Sequence, residues 1–396
     1  MKLLKSKHLF VNLFLVAVLV ATSSCLYGQV PLKVIVGEQA GFSEFESVLA
    51  RFEAKLASDV AEDGIGSIAA GVFAGDKVVW AKGFGWADVE KQVPAEADTI
   101  YRIGSISKSF TAVLMAQMAE KGKFTLDEPV AKYFPAIEGL IEKPEGAKAI
   151  TFRHLASHTA GLIREPRLPG AASGPIGGWE DKILASIPTT AYQSKPGERY
   201  SYSNIGFGIL GLAVSRAAGK GFMELVTDEI FKPLGMESSF FILTEEHRAK
   251  LSMGYTGQGD RISGEAPAQE HAGRGYKVPN GGIYSTVGDL AKFGAAMCAA
   301  SKVKIFTEET RKEILKQQTP AGGGRYGLGF SISVDSDGFT TMGHGGSVSG
   351  YNADLVFDPE SKMGVVLLRN YSGGRTNLGQ ESQALLKKLV NAKKDS

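Results

Sequence analysis

Cysteine is nearly missing from this 396-residue chain: there are two, Cys25 and Cys298, and the first falls in a leader that reads as removable or lipidated. No intrachain disulfide is therefore expected, and the mature fold must be held by its core. Charge of one sign is lacking too. Lysine and arginine number 44 against 42 acids, and residues 1 to 24 hold Lys2, Lys5 and Lys7 with no acid, so the remainder carries 41 against 42. There is no basic stripe to suggest nucleic acid and no acidic tail. What is present, 43% hydrophobic and 22% charged residues, is the composition of a globular protein with one large domain or two smaller ones.

The N-terminus reads as a secretory signal covering about residues 1–28. Lys2, Lys5 and Lys7 form a charged region, Leu9 to Ala21 an apolar one, and Thr22-Ser23-Ser24 supplies small residues. A membrane anchor is the rival, but the run is short for a span and Asn12 interrupts it. Cys25 after Ser23-Ser24 raises a lipoprotein anchor, although Thr22 stands where that signal usually has a large aliphatic residue, and cleavage near Gly28-Gln29 competes with it. The expectation is an exported protein, periplasmic or extracellular, with a lipid anchor at Cys25 left open.

Helical spacing of Phe45, Val48, Leu49, Phe52 and Leu56 predicts an amphipathic helix over Phe42 to Ala57. A β-hairpin follows, Ile68 to Phe73 and Val78 to Ala81, with its turn at Gly75-Asp76. From Thr99 to Arg274 the signals turn helical: the Ser105 segment, Asp127 to Tyr133, Thr151 to Ser157, Gly206 to Ala218 and Phe222 to Phe231. Gly254 to Gly275 reads as loop, and Thr286 to Asp289 as a cap opening the helix Leu290 to Met297. Strands return at Gly327 to Ser333, Ala353 to Phe357 and Met363 to Leu368, before a last helix over Asn377 to Val390. The expected fold class is α/β (α+β), an antiparallel sheet flanked by helices with a helical insertion lobe. One folded domain is expected over about 40–396, divided into a sheet lobe (40–98 and 277–396) and a helical lobe (99–276).

Four stretches carry chemistry. Ser105 and Lys108, three apart at the mouth of an apolar segment, share a helix face, which suits a nucleophile and its base. The helix N-terminus would add N–H groups where an oxyanion forms. The same spacing recurs at Ser301 and Lys304, in a charged stretch, and is read as accidental. Tyr202-Ser203-Asn204 is the chain's one Tyr-x-Asn. A phenol near a lysine ammonium has a lowered pKa and can shuttle a proton, and an Asn amide can donate to a substrate carbonyl. Alone, the tripeptide reads as a turn with Asn204 as helix cap. Gly343 to Tyr351, between strands, contains His344-Gly345-Gly346-Ser347, whose glycines would let backbone approach a ligand and whose N–H groups could bind an oxyanion. Alone, it is a glycine-rich turn. His154 and His158 lie four apart, but no Glu follows His154 and no third ligand is in view, so zinc is not expected.

Ser105-Ile106-Ser107-Lys108, Tyr202-Ser203-Asn204 and His344-Gly345-Gly346, in this order, resemble the serine β-lactamase and penicillin-binding protein superfamily. The likeness is to its class C and DD-peptidase-like branch, with D-aminopeptidases and β-lactamase-related esterases. Ser157-His158-Thr159-Ala160-Gly161-Leu162, Pro196-Gly197, Tyr326 to Phe330 and Asp358-Pro359 add to it, so the resemblance covers about Phe42 to Val390. It implies a Ser105 acyl-enzyme, proton transfer shared by Lys108 and Tyr202, and Asn204, His344, Gly346 and Ser347 on the substrate side. The N–H groups of Ser105 and Ser347 would make the oxyanion hole. No cofactor or metal is implied. Substrates would be amides or esters related to D-amino-acid peptides or β-lactams, peptidoglycan stem peptides among them. The alternatives are a β-lactam hydrolase proper and a non-catalytic penicillin-binding or sensor module. His344 stands where β-lactamases of this branch usually carry Lys, which puts efficient β-lactam hydrolysis in question.

Overall fold

The computed structural model describes residues 45–257 and 262–395. The expectations about the leader and Cys25 lie outside these residues. Helix α1 (Glu46–Asp63) buries Phe52, Leu56 and Val60 along one stripe. Strands β1 (Ser67–Ala74) and β2 (Lys77–Asp88) form the hairpin, and the short β3 (Val93–Pro94) lies outside β2. The C-terminal strands β6 (Ser331–Val334), β7 (Thr340–Val348), β8 (Tyr351–Asp358) and β9 (Met363–Arg369) form a meander, and β9 pairs with β1. The seven-stranded sheet has the order β3-β2-β1-β9-β8-β7-β6 with every pairing antiparallel. A small pair, β4 (Tyr101–Arg102) with β5 (Tyr284–Ser285), stands apart.

Both faces of the sheet's centre are covered, which explains the unbroken apolar run in β9. Alternate residues point to opposite faces. Met363, Val365 and Leu367 pack with Leu385, Leu386 and Leu389 of the C-terminal helix and with α1. Val366 and Leu368 join the other core, with Leu290 and Phe293. Each such side chain, fully buried, contributes roughly 1.5–3 kcal/mol.

The middle of the chain supplies the helices that matter for the site. Helix α2 (Ser107–Glu120) is buried on every side from Ser107 to Met118, so it is a central helix, not an amphipathic one. Phe110 stacks on Phe293 at 3.9 Å between ring centres, tying α2 to the helix Val287–Met297. Helix α3 (Phe152–Ala156) and helix α4 (Asn204–Ala218) pack nearby.

Several local expectations differ from the fold. Asp127 to Tyr133 holds only a single 3₁₀ turn, Val130–Lys132, because Pro129 in extended conformation donates no N–H and starts the turn late. Phe222 to Phe231 is one α turn running into a π turn. Helix α4 starts at Asn204, and Ser203 is its cap, its Oγ accepting from Gly206 N at 3.0 Å. Thr286 caps a helix that begins at once, at Val287. Gly327 to Phe330 is no strand. Its polar backbone serves the helices: Gly329 N donates to Ala156 O at 3.0 Å, and Gly329 O accepts from Ser109 Oγ at 2.7 Å. Gly343 to Val348 belongs to β7 itself, and only Ser349-Gly350 turns.

Candidate active site

Ser105 sits in a 3₁₀ turn, Gly104–Ile106, that feeds α2, and Lys108 follows in the helix's first turn. Lys108 Nζ donates to Ser105 Oγ and to Asn280 O, each at 3.0 Å. The lysine is wholly buried, with its Nζ 4.9 Å from the Tyr202 ring centre and 5.8 Å from that of Phe207. Burial drives its pKa well below the ordinary lysine value. Lys277 and Arg164 push the same way, Glu165 resists, and Arg274 adds to the depression. The result favours the neutral amine, the form able to take the Ser105 proton.

Two glycines bring the Ser105 and Ser347 backbones together. A Cβ on Gly346 would lie 2.0 Å from Ile103 O and 3.3 Å from Ser105 N. One on Gly104, whose φ is +50°, would lie 2.7 Å from Ser347 N. Only bare backbone allows this contact, and it sets the Ser105 and Ser347 amides side by side. Ser107 is structural, its Oγ accepting from Ile283 N at 3.2 Å.

Tyr202 is beside the pair, but its shift runs opposite to the expectation of a lowered phenol. Burial pushes it up to about 12, with a hydrogen bond to Ser105 drawing it partly back. In a buried cluster both groups shed charge, so the lysine becomes neutral and the phenol keeps its proton. Its ring is clamped between the Arg164 guanidinium, 4.9 Å from the ring centre, and the His158 ring at 4.2 Å. His158 Nδ1 accepts from Ser203 N at 3.0 Å, which fixes the backbone of the Tyr-Ser-Asn stretch. His154 is turned away and caps α3 by accepting from Thr151 N.

Asn204 and His344 are engaged differently from the roles the resemblance implies. Asn204 Nδ2 donates to Glu165 Oε1 at 2.5 Å, while its buried Oδ1 has no hydrogen-bond partner among the described residues. Glu165 also accepts from Tyr276 Oη and from Lys277 Nζ at 3.2 Å, and these bonds outweigh burial to hold its carboxyl below the usual range. An ionised carboxylate can only accept, so the amide must turn its NH₂ that way. Sequence reasoning missed Glu165, since no local motif marks it. His344 is buried, donating from Nδ1 to Gly345 O at 2.6 Å and accepting at Nε2 from Tyr326 Oη at 2.9 Å. Burial, then the nearby Lys108, lower it to about 3. It is a neutral imidazole, not the partly charged one expected near pH 7. The exposed cation beside Ser105 is Arg164.

Ser105, Arg164, Tyr202, His344 and Ser347 line one cleft of about 690 Å³. A groove of about 730 Å³ near Asp337, Thr340 and Lys387 has no nucleophile paired with a base. An antiparallel sheet meeting a buried helix, with a serine and a lysine at the junction, is the β-lactamase/transpeptidase-like fold. Residues 52–387 match the family model described as Beta-lactamase, and the chain belongs to that family.

Among relatives, beta-lactamase-like protein 4 of Dictyostelium discoideum is 27% identical over 365 residues, covering 86% of this chain and 62% of that protein. Protein flp of Staphylococcus aureus (strain MW2) is 24% identical over 297 residues, covering 74% of this chain and 57% of that protein. The chain thus spans less than two thirds of the length of these relatives. The solved structure of the octameric penicillin-binding protein homologue from Pyrococcus abyssi superimposes with a TM-score of 0.73 at 28% identity, over 87% of this chain and 77% of that one.

Proposed function

We propose that this chain is a serine hydrolase that works through an acyl-enzyme on Ser105, with amide or ester substrates related to D-amino-acid peptides, peptidoglycan stem peptides among them. The observation that carries the proposal is the wholly buried Lys108 Nζ at 3.0 Å from Ser105 Oγ. In this reaction the Ser105 proton passes to the neutral Lys108 amine as Oγ bonds to the substrate carbonyl carbon. The carbonyl oxygen takes the negative charge between the Ser105 and Ser347 amides. Collapse of the intermediate breaks the bond to the leaving group, which takes a proton from the Tyr202 phenol. That phenol is refilled from the Lys108 ammonium. Water then attacks the acyl carbon by the same relay and frees Ser105.

A β-lactamase proper is the second reading, and the neutral His344 weighs against it, because no fixed cation stands at that place to meet a β-lactam carboxylate. Intact-protein mass spectrometry after brief exposure to a penicillin, an aryl ester and a D-alanyl thioester tests all of this. A transient acyl adduct on wild-type protein, absent in Ser105→Ala, is the expected result. No adduct and no ester hydrolysis from folded protein would leave the sensor-module reading standing. Export, with or without lipidation at Cys25, is part of the proposal. It rests on the Lys2, Lys5, Lys7 and Leu9 to Ala21 pattern, and the N-terminal mass of the secreted protein tests it.

A further inference from the structure

The cleft over Ser105 holds a carboxylate that the acyl-transfer scheme leaves unused. Asp354 on β8 pairs with Gly345 of β7, two places along the ladder from Asn352, which pairs with Ser347. Alternate residues share a face, so Asp354, Asn352 and Ser347 all project to one side, and all three line the cleft with Ser105. Diagonal neighbours on adjacent strands are about 7–8 Å apart, which places Asp354 close to the Ser347 amide of the oxyanion position.

One oxygen of Asp354 is occupied: Oδ2 accepts from the Ser382 hydroxyl on the helix Leu378–Asp395. Oδ1 has no hydrogen-bond partner among the described residues. Its neighbours across the gap are glycines, and a Cβ added to Gly345 or Gly379 would still stop 3.6 or 3.7 Å away. No Lys, Arg or His among the described residues pairs with it. Arg369, which also lines the cleft, is committed elsewhere, donating from Nε to Tyr371 O and from Nη1 to Thr376 O. Burial lifts the Asp354 carboxyl to about 6, against the Ser382 bond, so the ionised form is favoured at pH 7 and above. A half-buried anion with one free oxygen and no counter-ion is costly unless a cation arrives.

We infer that Asp354 is a specificity-determining residue that receives an ammonium group on the acyl side of the substrate, such as the free α-amine of an amino-acid ester or peptide. The juxtaposition of the Ser347 amide with this carboxylate on adjacent strands matches an acyl carbonyl with an amine a few bonds away. Arg164 stands by Tyr202 in the same cleft, so the walls offer both signs of charge. The inference rests on the proposal that Ser105 is acylated.

The test is a pair of aryl esters of D-alanine, one with a free amine and one N-acetylated, given to the purified full chain. Wild-type protein should favour the free amine in kcat/KM by about tenfold or more, and Asp354→Asn should bring the ratio towards one. A wild-type ratio near one, or an unchanged ratio in Asp354→Asn, overturns the inference while acylation stands. If neither ester acylates Ser105, the hydrolase proposal fails and takes this one with it. A second readout needs no variant: D-alaninamide should compete with ester turnover by wild-type protein about tenfold better than N-acetyl-D-alaninamide, and equal competition overturns the inference.

Discussion

Ser105 and Lys108 share their spacing with Ser301 and Lys304. The first pair opens a helix buried on all sides, its amine enclosed by Tyr202, Phe207 and the Asn280 carbonyl. The second lies on a bend at the surface. Ser301 Oγ accepts from Val303 N at 3.1 Å, the neighbouring Lys302 reaches Asp76 at 3.2 Å, and Lys304 is exposed. Spacing alone brings two side chains within reach. Burial changes what they can do, because it takes water away from the amine and with it the reason to stay protonated.

Four experiments break or sharpen this contrast. The largest effect is expected from Ser105→Ala, which should abolish acyl-adduct formation and cut ester hydrolysis by about 10³-fold or more. Ser301→Ala should leave both intact and move stability by no more than about 0.5 kcal/mol, read by denaturant titration. Next comes Lys108→Met, with a loss of about 10²–10⁴ in kcat, while Lys304→Met leaves kcat alone. The pH profile fixes the sign. A base works deprotonated, so wild-type activity should rise as pH climbs through the depressed Lys108 pKa and vanish below it; an activity that grows as pH falls would refute this role.

Tyr202→Phe should cost about 10²-fold with amides and less with activated aryl esters, whose leaving groups need no proton. Because the phenol is raised to about 12, wild-type activity should show no alkaline loss until pH approaches that value. An amide-to-ester ratio unchanged in the variant would remove Tyr202 from the proton path. The smallest effect belongs to Glu165→Gln. Glu165 props up the protonated form of Lys108, so its neutralisation should lower the lysine pKa and move the acid limb of kcat/KM to lower pH. A limb that stays put, or shifts upward, would show that Glu165 does not act on Lys108.

Much of the fold was legible because its signals are local. The Gly75-Asp76 turn, the Phe52 and Leu56 stripe, and the apolar runs of β8 and β9 each follow from chain neighbours. The Ser105–Lys108 contact was legible for the same reason, the two being one turn apart. What was lost depends on residues brought from elsewhere. Glu165 reaches Asn204 from 39 positions away and Tyr276 from 111, and nothing near it in the chain announces either bond. His344 was expected to titrate near neutrality because its enclosure by Tyr326 and Lys108 is a property of packing. Gly327 to Phe330 looks like a strand, yet the Gly329 amide and carbonyl are claimed by α3 and α2 and the Leu328 amide by Ile314 O.

The contact between Gly104 and Gly346 also bears on when the protein becomes competent. A chain emerging from its amino end carries the serine and lysine long before β7 has been made, and the second oxyanion amide arrives only when that late strand docks. Contacts between such distant parts of a chain form slowly, after loop-closure entropy has been met. Assembly of the site therefore waits on the docking of a late strand.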